Sequence, residues 1–302
     1  TKVLMELIDQ KKPTFIYSLH NAGFGGCYWY LTDGDEALYK ALYRQPALEK
    51  VPLHLGEPEA PYCEEFYPGM YRMLGVTAHY DYLEKFVPDK DPATMITSGT
   101  SSDEYANREG KLISRALVNE MPYFYDQRID DTTPSDMIRR EAVLINCDQT
   151  EAFFAALTPL YERAKPLIRT WNPFFISVED RMASSSAGNM DAKRQWAMAP
   201  EFEEKATVAQ KFENLYGQGF YRNLSVCLLW RACTYELEHG TDMSDAARAE
   251  LEAIKADAGK LMEENLRYLE ENLHYQAIPI QKLVRIQLAS GLLYAKYVHD
   301  KN

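Results

Sequence analysis

A short apolar segment followed by a glycine-rich one decides the fold of this chain: residues 14–26 read TFIYSLHNAGFGG. The first six residues are rich in β-branched and aromatic side chains and follow Pro13, which is typical of a buried strand. The strand is predicted to end on His20 and to be followed by a glycine-rich turn. Because ligands of α/β sheets bind at strand ends, His20 is a candidate binding residue. A histidine satisfied by the backbone at a turn is the alternative.

A second buried strand is predicted over residues 114–119, followed by Glu120, Met121 and Pro122. Proline has no N–H to donate, so it is expected to stop the strand there. Glu120 therefore has the same kind of position as His20. A carboxylate at a strand end in apolar surroundings tends to have a raised pKa, which suits a general base.

The remaining segments predict an α/β chain with a change of character near residue 136. Residues 27–31 form an aromatic run that predicts a further strand, and Asp33 or Asp35 is expected to cap a helix reaching about Lys50. Later segments predict a helix over 150–168, one or two over 201–239 and another over 244–275, with a flexible loop at 184–189. The predicted domains are 1–135, an α/β unit, and 136–302, a helical extension.

Composition excludes some partners. The chain has 302 residues, 46% of them hydrophobic, and 33 basic against 45 acidic side chains give a net charge of −12. Such a molecule repels phosphate backbones and anionic lipids, and charged residues interrupt every apolar stretch before a membrane helix could form. We therefore expect no nucleic-acid partner and no membrane partner.

Cysteine usage and the first residues bear on the compartment. The five cysteines are widely spread and form no Cys-x-x-Cys pair, so reduced thiols are expected and a structural zinc knot is not. The first residues lack a basic region and apolar block typical of a secretory signal. These features predict a cytoplasmic protein, or an exported one whose signal was lost upstream.

A hydroxyl-rich segment lies between the two candidate residues. Residues 98–106 read SGTSSDEYA, a loop that enters a helix. Its hydroxyls and amides are suited to capping that helix or to holding a small anionic group.

The order of these segments resembles the zinc carboxypeptidases of the carboxypeptidase A type. In that family a strand ends on the third zinc ligand, a His followed by a small residue, as in residues 15–22 here. A Gly/Ser loop with an Asp, similar to residues 98–103, forms the pocket for the substrate's last side chain. A further strand then delivers the catalytic Glu, as in residues 116–122. The resemblance covers about Thr14 to Tyr125, with an insertion between Asp35 and Asp91.

The resemblance implies the C-terminal half of a carboxypeptidase-like mixed sheet with flanking helices, and zinc-dependent hydrolysis of a C-terminal peptide or amide bond. His20 is then one ligand of a single zinc ion and Glu120 the catalytic base. Ser102 and Asp103 belong to the substrate pocket, where the neutral hydroxyl of Ser102 argues against strict selection for basic side chains. A peptide or an acyl amino acid is the implied substrate.

Two features of the family have no match in this sequence. Its first two zinc ligands, a His-x-x-Glu pair, lie well upstream of the third, but only nineteen residues precede His20. Its mobile Tyr has no counterpart just before the Gly/Ser loop, and Tyr80 or Tyr82 is the alternative for that role. The isolated chain is therefore expected to bind zinc weakly and to be inactive.

The His-x-x-Glu spacing that is missing upstream of His20 occurs downstream of it, at residues 54–57, which read HLGE. Gly56 and the Gly-Glu-Pro sequence disfavour the geometry that aims both side chains at one ion, and the order along the chain is reversed relative to the family. His54 and Glu57 are therefore predicted to belong to a surface or cleft loop. The other histidines have no partner at metal-ligand spacing.

A non-catalytic remnant or binding module that pairs with another chain is the alternative function, and a proteolytic or cloning fragment is a third reading. Half a sheet leaves an exposed strand edge that must be covered. Under each reading the sequence predicts a homo-oligomer or pairing with a missing N-terminal half.

Overall fold

The strands form a six-stranded mixed sheet and a separate two-stranded ladder in the computed structural model, which describes residues 2–96, 99–184 and 187–301. They are β1 (Phe15–Phe24), β2 (Tyr28–Leu31), β3 (Glu65–Tyr67), β4 (Met70–Arg72), β5 (Arg115–Tyr125), β6 (Pro134–Ile138), β7 (Lys205–Thr207) and β8 (Gln276–Ala277). The sheet order is β1-β5-β2-β4-β3, β8 pairs with β5, and β6 pairs with β7. β1 is parallel to β5 and β2 to β4, whereas β2 is antiparallel to β5. The predicted α/β class, with flanking helices and a mainly helical later region, is confirmed.

The helices flank the sheet and fill the later part of the chain. They are α1 (Lys2–Lys11), α2 (Glu36–Glu49), α3 (Val76–Phe86), α4 (Pro92–Met95), α5 (Ser102–Ala106), α6 (Arg139–Ala164), α7 (Pro173–Ser184), α8 (Ala187–Trp196), α9 (Val208–Phe212), α10 (Gln218–His239), α11 (Asp245–Asn272) and α12 (Ile280–Lys301). Asp35 caps α2 by accepting from the Leu38 N–H at 3.0 Å, as predicted for one of two aspartates. Within the described ranges, none of these helices has the length and apolar character needed to cross a membrane.

Three predicted helical boundaries are wrong. The helix expected at 150–168 is α6, which begins at Arg139 and ends at Ala164, because the continuous apolar run at 142–145 hides the helical period. The segment 201–239 is divided into a 3₁₀ turn, β7, α9, a π-helical turn (Glu213–Gly217) and α10. The loop expected at 184–189 is shorter, since α7 ends at Ser184 and α8 begins at Ala187; residues 185 and 186 lie outside the described residues.

β1 and β5 continue past His20 and Glu120, contrary to the prediction that each strand ends there. The two residues are register partners, and the ladder then shifts so that Gly23 lies opposite Pro122. Gly23 adopts a φ of 72°, and this bulge lets the strands pass a proline that cannot donate a hydrogen bond. His20 and Glu120 therefore lie within a paired ladder.

Alternation along the strands gives the sheet two different faces. Trp29, Leu117 and Met121 face a buried apolar core that α12 helps to form. A hydrogen bond of 3.1 Å from Trp29 Nε1 to Ser290 Oγ fixes α12 against the sheet. Because successive side chains point to opposite sides, the even-numbered residues of these strands, Glu120 among them, lie on the other face.

The later helices form a core of their own. Side chains of α6, α7, α10 and α11 pack together, with Leu157, Val178, Leu229 and Leu251 fully buried among them. α12 instead packs with the sheet, although residues 280–301 belong to the predicted helical extension. The division between residues 135 and 136 stays a prediction. α12 belongs to the predicted extension by sequence but packs with the sheet of the predicted α/β unit.

β1 is an edge strand, and side chains of two helices contact its backbone: Gln287 donates to the His20 oxygen at 3.2 Å and Tyr221 to the Phe24 oxygen at 3.1 Å. Within the described ranges, only β5 pairs with β1. Leu19 on this strand is 61% exposed. α12 adds exposed apolar side chains at four-residue steps, namely Ile280, Val284, Leu288 and Leu292. The stripe on α12 is therefore an exposed apolar surface next to an edge strand.

Candidate functional site

The parallel pairing of β1 and β5 brings His20 and Glu120 into contact. His20 Nδ1 lies 2.9 Å from Glu120 Oε1. The His20 side chain is 54% exposed and the Glu120 side chain 10% exposed. The two candidate residues, 100 positions apart in sequence, thus form one pair whose histidine is open to further partners.

The surroundings of Glu120 favour its protonated form. Burial is the largest influence and raises the pKa of this carboxyl, the nearby charge of Glu59 raises it further, and His20 partly offsets both. A carboxyl group with a raised pKa is better suited to taking and returning a proton near neutral pH.

Glu120 opens onto a cavity of about 280 Å³, which we call the Glu120 cavity. Its lining includes Tyr28 and Tyr71 from the sheet, His54, Glu57 and Glu59 from the segment after α2, and Glu213, Gln218 and Tyr221 from the start of α10 and the turn before it. The cavity thus lies between the sheet and the later helices. It is large enough for a small side chain or a terminal residue of a peptide.

Two tyrosines of β2 hold Glu59 at the cavity. The hydroxyl groups of Tyr28 and Tyr30 donate to Glu59 Oε2 at 3.3 and 2.8 Å. Burial, reinforced by Glu59, raises the pKa of both phenols, so both stay protonated and able to donate. Sequence reasoning identified β2 but not this role, although the two-residue spacing of the tyrosines places both on one face.

His54 and Glu57 line the cavity but do not aim at a common ion. His54 Nε2 lies 3.0 Å from the Glu57 backbone oxygen. The Glu57 carboxylate instead accepts two hydrogen bonds from Arg139, at 2.8 and 2.6 Å. Such a bidentate pair occupies the carboxylate oxygens that a metal needs. Their location agrees with the prediction of a cleft loop.

Ser102 and Asp103, the predicted substrate-binding residues, do not lie at this cavity. Asp103 is 7% exposed, and its Oδ2 accepts from the Thr32 hydroxyl at 2.8 Å. Thr32 bonds to Ala116, four residues before Glu120, which corresponds to about 13 Å along β5. Ser102 is the first residue of α5, while Ser98 lies outside the described residues. Their substrate-binding role stays a prediction.

The described residues do not complete a zinc site. Within 2–96, 99–184 and 187–301, no three His, Cys, Asp or Glu side chains are grouped so that they could hold a metal ion. A catalytic zinc draws three ligands from protein, and this site offers His20 beside a carboxylate. The residues present therefore fit one ligand position.

Comparisons with protein-family models, curated proteins and solved structures find no match to this chain. The functional argument therefore rests on the geometry of the site.

Proposed function

We propose that this chain forms part of a zinc carboxypeptidase-type hydrolase that cleaves a C-terminal peptide or amide bond. The observation that carries the proposal is the 2.9 Å contact between His20 and Glu120 on adjacent parallel strands, beside a cavity. A buried carboxyl with a raised pKa is suited to accept a proton from an attacking water and to return it to the departing amine.

His20 is proposed as one metal ligand. A zinc ion, when bound, makes a water ligand more acidic and polarises a carbonyl group. The described residues supply no second and third ligand, so they do not by themselves fit a catalytic zinc. The proposal for this chain therefore rests on proton transfer by Glu120, with the other ligands coming from a further segment or a partner chain.

The substrate in this proposal is a peptide or an acyl amino acid. We also propose a cytoplasmic location, which the five free cysteines support, because disulfides are rare in that compartment. Counting reactive thiols in protein taken from its native source tests the location; paired cysteines would contradict it.

A binding module that pairs with another chain is the second candidate. The position of β1 at the edge of the sheet favours it, together with the lack of a three-ligand group among the described residues. In that case the Glu120 cavity retains a ligand without turning it over. The two candidate functions predict different effects of removing the Glu120 carboxylate: only the hydrolase loses turnover.

Glu120→Gln tests the catalytic role. In the active, zinc-loaded protein we expect turnover of acylated dipeptides to fall by roughly 10²- to 10⁴-fold, because the amide cannot accept a proton. Zinc content should not change. Glu64→Gln, which alters an exposed carboxylate paired with Arg72, is the matched control. Loss of zinc from Glu120→Gln, or full activity in it, would contradict the assigned role.

Zinc titration of the isolated chain tests the ligand assignment. We expect weak binding by calorimetry that disappears in His20→Ala and persists in His54→Ala and Glu57→Ala, since Glu57 is occupied by Arg139. Tight binding that disappears in the latter two variants would instead identify residues 54–57 as the metal pair.

A further inference from the structure

An apolar pocket with a volume of about 230 Å³ lies beside the Glu120 cavity. Its lining includes Phe24, Phe124, Phe220, Leu266, Leu269 and Tyr275, and we call it the phenylalanine pocket. Apart from the first two, these side chains come from α10, α11 and the segment after α11, outside the part of the chain that resembles the carboxypeptidases. The pocket is therefore a feature that the later helices add to the sheet.

The pocket has a packed floor and an open mouth. The buried ring of Phe24 stacks on that of Phe220, with the ring centroids 6.0 Å apart. At the mouth, Phe124, Leu266 and Tyr275 are 37, 43 and 55% exposed. A preformed concave site with exposed apolar side chains around it is typical of a site that takes an apolar group out of water.

Two glycines bring the phenylalanine pocket close to the Glu120 cavity, on the two sides of Phe24, which lines both. Gly23 has a φ of 72°, and a Cβ atom there would lie 3.0 Å from Phe220 of the pocket. Gly25 has a φ of 133°, and a Cβ atom there would lie 3.1 Å from His54 of the Glu120 cavity. Only this short segment at the end of β1 separates the two, so one ligand can occupy both.

Polar groups of the lining decide which part of a ligand the phenylalanine pocket accepts. Among the described side chains that line it, only Glu270 and Tyr275 carry a polar group, and only Glu270 is charged. The Glu270 carboxylate repels a free carboxylate of a ligand. The backbone amides of a peptide would lose water in the pocket and find few new hydrogen bonds. An uncharged aliphatic chain has neither disadvantage.

We propose that the phenylalanine pocket binds the apolar acyl group of an N-acyl amino acid whose amide bond lies at Glu120. The amino-acid part, which carries the carboxylate, then lies on the side of the Glu120 cavity, away from Glu270. The assignment of this ligand as the substrate rests on the proposed function. The affinity of the pocket for an apolar acyl group does not.

The test compares two isomers, N-hexanoylglycine and N-acetylnorleucine, which carry the same aliphatic chain on opposite sides of the amide. Each is titrated into the full chain by calorimetry in zinc-free buffer, where hydrolysis is not needed. We expect N-hexanoylglycine to bind at least about tenfold more tightly, because each methylene group removed from water contributes about fourfold in affinity. Equal binding of the isomers would overturn the proposal. Tighter binding of N-acetylnorleucine would also overturn it, since the pocket would then hold the side chain of the amino acid.

Variants at the mouth locate the acyl group. Leu266→Gln keeps the length of the side chain and should lower the affinity for N-hexanoylglycine by at least about threefold, because an amide replaces apolar surface. Leu266→Met should keep the affinity, and neither variant should change the binding of N-acetylnorleucine. Ile176→Gln is the matched control, since this side chain on α7 is 44% exposed, against 43% for Leu266. An unchanged affinity in Leu266→Gln, or an equal loss in Ile176→Gln, would overturn the proposal.

Kinetics of the active, zinc-loaded protein separate this proposal from the proposed function. The kcat/KM for N-acylglycines should rise from acetyl to hexanoyl, and Leu266→Gln should flatten that rise. Tighter binding of N-hexanoylglycine without any hydrolysis would support the pocket and refute only the proposed function. Hydrolysis that does not depend on the length of the acyl group would overturn the assignment of the pocket and leave the proposed function intact.

Discussion

Glu120 links the site to the pH dependence of stability. Its raised pKa means that the folded chain holds a proton at this carboxyl more tightly than the unfolded chain does. The contribution of this group to stability is therefore present below the ordinary glutamate pKa and is lost as pH rises through the raised value.

Glu120→Gln should accordingly stabilise the chain at pH 8 and have a smaller effect at pH 4. Urea unfolding of both proteins at the two pH values measures the difference. If the substitution instead destabilised the chain more at pH 8 than at pH 4, the contact with His20 would affect the pKa of this carboxyl more than burial does.

Single residues of the site were predictable to different degrees. His20 and Glu120 could be identified because each follows a segment that predicts a buried strand. Glu213, Gln218 and Tyr221 could not, because they come from a helical segment about 100 residues further along the chain and carry no local signal. Only tertiary packing brings them to the sheet.

At the level of elements, β1, β2 and β5 follow from their composition, whereas the C-terminal ends of β1 and β5 do not. The bulge at Gly23 absorbs the missing donor of Pro122, and Gly25 then donates to Phe124 at 3.0 Å to continue the ladder. The sequence indicates that Pro122 cannot donate a hydrogen bond to the ladder. It does not reveal that the partner strand places a glycine opposite this proline, where a bulge lets the pairing continue.

Asp103 is one of two residues that attach the short helix α5 to the sheet, with Asn107 bonding to Ser114 just before β5. Asp103→Ala removes the acceptor of the Thr32 hydroxyl, so we expect a loss of about 1 to 3 kcal/mol in the free energy of unfolding. The KM for acylated dipeptides in the active protein should stay unchanged. A raised KM with unaltered stability would instead support the substrate-binding role predicted from the sequence.

At the scale of the whole molecule, the exposed apolar stripe on α12, next to the edge strand β1, predicts self-association with a second copy of the chain. Leu288→Lys should shift the mass measured by light scattering towards the monomer and change stability by less than about 0.5 kcal/mol, because the side chain is 62% exposed. Ile176→Lys, on the exposed side of α7, is the control. An unchanged mass in Leu288→Lys, or a monomer at all concentrations in the parent chain, would contradict this prediction.

Because α12 is synthesised last, the core between this helix and the sheet can be completed only at the end of translation. Trp29, Leu117 and Met121 share their core with Leu38 and Leu42 of α2 and with Tyr294 and Val298 of α12, so this face of the sheet is only partly covered until the last two residues have left the ribosome. At cellular rates of translation, the interval between residues 125 and 298 takes roughly 10 to 35 s. For that time the part of the apolar face that α12 covers in the folded chain is exposed to solvent, and exposed apolar surface of this kind makes incomplete folds prone to aggregate.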